Sequence, residues 1–258
     1  MRPRGMLGFD LLGTGAQTVV VMNDWMSDTS SWDAARPYLD RERFSWVFAD
    51  LRGYGRSKEL RGEFTLREAA ADVLELATAL RRERFAILGH SMSTLVAMHL
   101  AQTQRSRIQR AVLLTPAPPA GIGVQDAELA AMDAIARGSD ETRLYWLRMR
   151  LGEHTSEGFA RFKAERWRAA STPDAVSAYL RMFARDGLPD ASARIGVPVL
   201  AVSGERDIEP MRREAVQRLL SPLCEQLSVV ALADSGHYPM QETPPLLVAT
   251  IERFLGAE

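Results

Sequence analysis

Phe85-Ala86-Ile87-Leu88-Gly89-His90-Ser91-Met92-Ser93 sets four apolar residues, a glycine and a serine directly ahead of Leu95, Val96, Met98, Leu100 and Ala101. The unbroken apolar run suits a strand buried on both faces, and the spacing after Ser93 predicts a helix that begins at once. The chain therefore turns sharply from strand to helix at Ser91. Outward from this point the alternation repeats. Thr18-Val-Val-Val-Met22, ending in Asn23-Asp24, Phe44-Ser-Trp-Val-Phe-Ala49, ending at Asp50, and Ala111-Val-Leu-Leu114 read as strands. So do Val197-Pro-Val-Leu-Ala-Val202 and, last, Gln226-Leu-Ser-Val-Val-Ala231. A helix is predicted from Thr65 to Arg82, with Thr65 and Glu68 as a capping-box pair and Leu66, Ala69, Ala70, Val73, Leu76, Ala77 and Leu80 as its apolar stripe. Ser30-Ser-Trp-Asp33 opens another, to about Leu39, and Pro244 to Phe254 forms the terminal helix. Strands alternating with helices imply an α/β chain, with a mostly parallel central sheet flanked by helices.

The pattern changes at Pro116-Ala-Pro-Pro-Ala-Gly121. From about Gly121 to Leu188 only helical periodicity is present. The expected organisation is a core of residues 1–119 and 190–258, with 120–189 inserted as an all-helical segment.

The chain has 258 residues, a formal net charge of −1 and 25% charged residues, the balance of an ordinary soluble globule. A near-neutral chain lacks the basic face on which nucleic-acid affinity rests. The single cysteine, Cys224, excludes an intramolecular disulfide framework and a cysteine-based zinc site. No stretch approaches the ~20 apolar residues that span a bilayer. No apolar core of signal-peptide length follows the basic N-terminus before Asp10. The expectation is a cytoplasmic protein with no nucleic-acid or membrane partner.

Ser91 is placed for chemistry. A serine on a sharp strand-to-helix turn exposes its Oγ, and the helix N-terminus offers N–H groups to a developing oxyanion. Gly89 matches the first glycine of the G-x-S-x-G nucleophile pattern, while Ser93 replaces the second. A serine that merely caps the helix has the same spacing. Of the four histidines, His90 adjoins Ser91 and should face away, His99 lies two turns down the helix, and His154 falls in the insertion. His237 follows the last strand, where ligands collect, and is the one placed to take the Ser91 proton. Asp207, after the Val199–Val202 strand, is the orienting carboxylate, with Glu205 and Glu209 as competitors. The chain order is Ser, Asp, His.

These stretches, with Asp50-Leu-Arg-Gly-Tyr-Gly-Arg-Ser57, Pro198 to Asp207 and Ser235 to Pro244, resemble those of α/β-hydrolase-fold proteins with a helical cap. The similarity covers nearly the whole chain and is specific for the superfamily, not for a substrate. The Ser-x-Ser turn is similar to that of the strigolactone-receptor-like branch, which the rest of the chain does not follow closely. The resemblance assigns the oxyanion-hole N–H groups to Trp25 and Met92. It also marks a departure, because Asn23-Asp24 stands where a His-Gly pair is usual. A carboxylate beside an oxyanion opposes the chemistry unless it is turned away or paired. The simplest expectation is that Asn23 and Asp24 hydrogen-bond the loop.

Asn23, Asp24 and Met26 are candidate pocket residues. Trp146, Met149, Trp167, Met182 and Phe183 of the cap either line an apolar pocket or pack between helices. Arg143, Arg148 and Arg150 either attract an anionic substrate or form a solvated face. The resemblance implies hydrolysis of small carboxylic esters or lactones through an acyl-enzyme, with no metal or organic cofactor. The serine disfavours aspartate-nucleophile activities of the epoxide-hydrolase or dehalogenase type. The same three residues also serve carbon–carbon bond or thioester hydrolysis, acyl transfer and perhydrolysis. A slow or inactive ligand-binding homologue is the alternative of another class.

Overall fold

The computed structural model describes residues 5–152 and 155–257. His154 and the first four residues of the N-terminal reading lie outside them. Seven strands form one sheet: β1 (Phe9–Leu12), β2 (Gln17–Met22), β3 (Phe44–Ala49), β4 (Phe85–His90), β5 (Ile108–Leu114), β6 (Val199–Gly204) and β7 (Leu227–Leu232). Their order is β1-β3-β2-β4-β5-β6-β7, and every pairing is parallel except β1 with β3. The sheet is flanked by α1 (Leu66–Ala79), α2 (Thr94–Thr103), α7 (Arg213–Leu220), the short α8 (Pro239–Glu242) and α9 (Pro244–Leu255). Between β5 and β6 lie α3 (Asp126–Arg137), α4 (Asp140–Arg150), α5 (Glu157–Ala170) and α6 (Pro173–Arg181), the last running into a π-turn at Met182–Asp186.

The central strands β3, β4 and β6 are buried at every residue, which is why they read as unbroken apolar runs rather than alternating ones. β1 escaped the sequence reading. It has four residues, is half-exposed and sits at the sheet edge, so neither an apolar run nor a clean alternation marks it.

Two other expectations are corrected. The helix from Ser30 to Leu39 is a pair of 3₁₀ turns, Thr29–Trp32 and Arg36–Tyr38. Pro37 has no N–H to donate to the Asp33 carbonyl, which interrupts an α-helix there, and the proline sits in the first turn of the second 3₁₀ segment instead. The helix from Thr65 ends at Ala79, three residues early, and Arg81 turns back with φ 56°. Its capping box is half formed. Thr65 Oγ1 accepts the Glu68 N–H at 3.2 Å, but Glu68 accepts the N–H of Phe64 instead of that of Thr65.

Candidate active site

The carboxyl ends of β2, β4, β6 and β7 present Asn23-Asp24-Trp25, Ser91, Asp207 and His237 at one edge of the sheet. In open parallel sheets this edge is where ligands collect. Ser91 follows β4 with φ 51°, a left-handed conformation that costs a non-glycine residue energy and lifts its side chain out of the sheet. The turn is tight enough to require Gly89, where a Cβ would lie 2.5 Å from the Ser93 carbonyl oxygen. Ser93 is tolerated because its hydroxyl is used. It accepts the His90 N–H at 2.9 Å and donates to the His90 carbonyl at 3.1 Å.

The structure brings Ser91, His237 and Asp207 into one hydrogen-bonded line. His237 Nε2 is 2.9 Å from Ser91 Oγ, and His237 Nδ1 is 2.7 Å from Asp207 Oδ2. Asp207 is wholly buried, and its other carboxylate oxygen accepts the Ile208 N–H at 2.8 Å. The competing acids Glu205 and Glu209 are exposed. The carboxylate therefore holds a proton on His237 Nδ1 and leaves the Nε2 lone pair toward the serine hydroxyl. Gly204 allows the last loop to approach, since a Cβ there would meet the Gly236 carbonyl at 2.1 Å.

Glu242, on α8, was missed in the sequence. Its half-buried carboxylate accepts the N–H groups of Gly152 at 2.6 Å, Gly236 at 2.7 Å and Tyr238 at 2.8 Å. It thereby ties the loop on both sides of His237 to the end of α4. The His237 N–H completes the joint by donating to the Arg150 carbonyl at 2.8 Å. Burial raises the Glu242 carboxyl above its ordinary range, and the three N–H groups oppose that rise. The only sequence signal was an acid shortly after the histidine.

The Trp25 N–H, which the resemblance assigns to an oxyanion, has a partner within the chain. Asp24 does hydrogen-bond the loop, but through the group assigned to substrate: its Oδ1 accepts the Trp25 N–H at 2.5 Å. The Asp24 Cβ places a carboxylate on its neighbour's amide, where a glycine would leave the N–H open. Met92 follows Ser91 in the first helical turn, where backbone N–H groups lack intrahelical partners. Asp24 also lies close to both histidines of the site. One ligating atom each from Asp24, His90 and His237 falls within 4.8 Å of the others. His90 packs beneath His237, and burial pushes its imidazole down to about 4, so it is neutral at pH 7.

A cavity with about 30 Å³ of open space reaches Ser91 between the sheet edge and the helical segment. Trp25, Trp146, Trp167, Phe183 and Tyr238 wall it, with Asp24, Ser91, Arg150 and His237 as its polar groups. Of the candidate pocket residues, Asp24 is there and the other two are not. Asn23 is buried in the loop, donating to the Asp24 and Ser27 carbonyls and accepting the Leu51 N–H at 3.2 Å. Met26 is buried with φ 61° and does not line the cavity. Met149 is surface-exposed and Met182 is packed in the core. Of the three arginines only Arg150 reaches the cavity, with its guanidinium 4.5 Å from the Trp146 ring centre. Arg143 pairs with Asp140 at 3.0 Å and Arg148 with Glu157 at 2.7 Å. His99 is half-buried on α2.

A parallel sheet with a serine on a strained turn, facing a histidine and an aspartate from later strand ends, defines the α/β-hydrolase class. Comparison with known proteins agrees: residues 19–251 match the alpha/beta hydrolase family, and the chain belongs to that family. It is 24% identical to a soluble epoxide hydrolase from Corynebacterium sp. (strain C12), over 92% of this chain and 89% of the relative. Among solved structures it is similar to a hydrolase from Oleispira antarctica, with a TM-score of 0.85 at 17% identity over 98% of this chain and 96% of that one. It is also similar to the enol-lactonase from Burkholderia xenovorans LB400, with a TM-score of 0.82 at 24% identity over 97% and 96% of the two chains. Among the described residues no helix is long and apolar enough to cross a membrane.

Proposed function

We propose that this protein is a serine hydrolase of small carboxylic esters or lactones, with residues 120–189 acting as a cap over the site. The reading rests on the Ser91–His237–Asp207 line of hydrogen bonds at 2.9 and 2.7 Å. His237 Nε2 takes the proton of Ser91 Oγ as the oxygen attacks the carbonyl carbon. Asp207 stabilises the imidazolium that forms. The Met92 N–H holds the oxyanion, and the Trp25 N–H joins it once the Asp24 carboxylate is displaced. His237 returns its proton to the leaving alcohol, and water deacylates Ser91 by the same route. The small aromatic cavity suits small acyl groups, and the reading places the reaction in the cytoplasm with no cofactor.

The test is hydrolysis of p-nitrophenyl esters of increasing acyl length, together with fluorophosphonate labelling. Wild type is expected to turn over short esters and to label at Ser91, and Ser91→Ala to do neither. The Asp24–Trp25 bond favours one second reading, a slow or inactive ligand-binding homologue. Wild type that neither labels nor turns over would replace the hydrolase reading with that one.

A further inference from the structure

The reaction outlined above gives no role to His90, which is 1% exposed. Its Nε2 lies 2.8 Å from the His237 carbonyl oxygen. A carbonyl only accepts, so Nε2 carries the proton and Nδ1 the lone pair. That Nδ1 is buried and has no hydrogen-bond partner among the described residues. His237 is held in the complementary way: its Nδ1 proton goes to Asp207, and its lone pair is on Nε2. Asp24, also buried, accepts the Trp25 N–H with one carboxylate oxygen. The three residues bring ligating atoms within 4.8 Å of one another.

Two imidazole lone pairs and a carboxylate, each anchored on its far side by a hydrogen bond, are the donor set of a mononuclear transition-metal site. We propose that Asp24, His90 and His237 bind a divalent transition-metal ion such as Zn²⁺, and that its occupancy shuts off the serine. Ligands at about 2.0–2.2 Å around a tetrahedral ion sit roughly 3.4 Å apart, so modest side-chain rotation closes the set. The cavity in front of Ser91 is lined by Asp24 and His237 and gives the ion its entry. The bound ion takes the His237 Nε2 lone pair that the Ser91 proton requires. This consequence, unlike the binding itself, rests on the serine-hydrolase reading.

The test titrates chelator-treated protein with Zn²⁺ against a chromophoric chelator, and with Co²⁺ by visible absorption. Wild type is expected to bind one equivalent and to give the strong visible bands of tetrahedral Co²⁺. His90→Gln and Asp24→Asn are expected to bind at least about tenfold more weakly. His99→Gln should match wild type. Zn²⁺ should protect Ser91 from fluorophosphonate, and EDTA should restore labelling. Wild-type binding weaker than about 1 mM would overturn the site, as would unchanged affinity in a His90→Gln protein whose circular dichroism is native. If His90→Gln does not fold, the Co²⁺ bands and the protection of wild-type Ser91 decide the matter. Zn²⁺ binding by a protein whose metal-free form does not label would keep the site and sink the hydrolase reading. Labelling that Zn²⁺ leaves untouched would overturn the shut-off.

Discussion

The Oδ1 atom of Asp24 lies 2.5 Å from the backbone nitrogen of Trp25, its own neighbour in the chain. In the proposed mechanism that N–H is an oxyanion donor, so the carboxylate occupies a group the transition state would use. Loss of one oxyanion donor costs hydrolases on the order of 10²–10³ in rate. Asp24→Gly frees the donor and removes the negative charge. With EDTA present, its kcat on p-nitrophenyl acetate is expected to exceed that of wild type by about tenfold or more. A fall in kcat would assign Asp24 a direct part in the reaction.

Ser91 holds a left-handed backbone at φ 51°. Such a conformation costs a residue with a Cβ about 1–2 kcal/mol, and glycine almost nothing. Part of that difference returns as glycine's greater entropy in the unfolded chain. Ser91→Gly is therefore expected to be about 1 kcal/mol more stable than Ser91→Ala, and both should be inactive. Urea unfolding of the two variants makes the comparison.

Glu242 joins three backbone N–H groups around the His237 loop. Glu242→Gln removes the charge and turns an amide donor toward one of those N–H groups. A buried donor left unsatisfied costs about 1–3 kcal/mol. The variant should lose about that much stability. Its kcat should fall by more than its KM rises, because His237 is displaced while Trp25, Trp146, Trp167 and Phe183 keep their places in the cavity wall. A rise in KM at constant kcat would instead make Glu242 a part of substrate binding.

Lys163 on α5 is 2% exposed. Its ammonium lies 3.6 Å from the Tyr238 ring centre and 2.9 Å from Gln241 Oε1. Burial pushes it down to about 8, from an ordinary 10.5. Between those values the unfolded chain binds more protons than the folded one, so wild-type stability rises with pH across that window. Below pH 8 the folded protein carries the full cost of the buried charge. Lys163→Met is thus expected to be more stable than wild type by about 1–2 kcal/mol at pH 7. The advantage should shrink as pH rises from 8 toward 10.5. Denaturant unfolding at pH 7 and pH 10 checks the sign.

The buried strands were legible because each announces itself locally. Val19-Val20-Val21 and Ile87-Leu88 are apolar without interruption, since both faces of those strands are covered. Ser91, Asp207 and His237 were legible for a related reason: each lies within a few residues of a strand's carboxyl end, and a parallel sheet brings those ends to one edge. That much of the α/β-hydrolase architecture is written in short-range pattern. β1 was not, because a half-covered edge strand of four residues carries too few periods to register.

What only the tertiary structure decided is which polar groups meet. Asp24 could have faced solvent, yet its side chain turns onto the Trp25 amide, near two histidines. Glu242 reaches Gly152, 90 positions away, and His90 reaches the carbonyl of His237, 147 positions away. A hydrogen bond needs its partners within about 3 Å, and nothing in the local chain specifies a neighbour that distant in sequence. Only the order of strands in the sheet and the docking of α4 and α5 over its edge bring those atoms together.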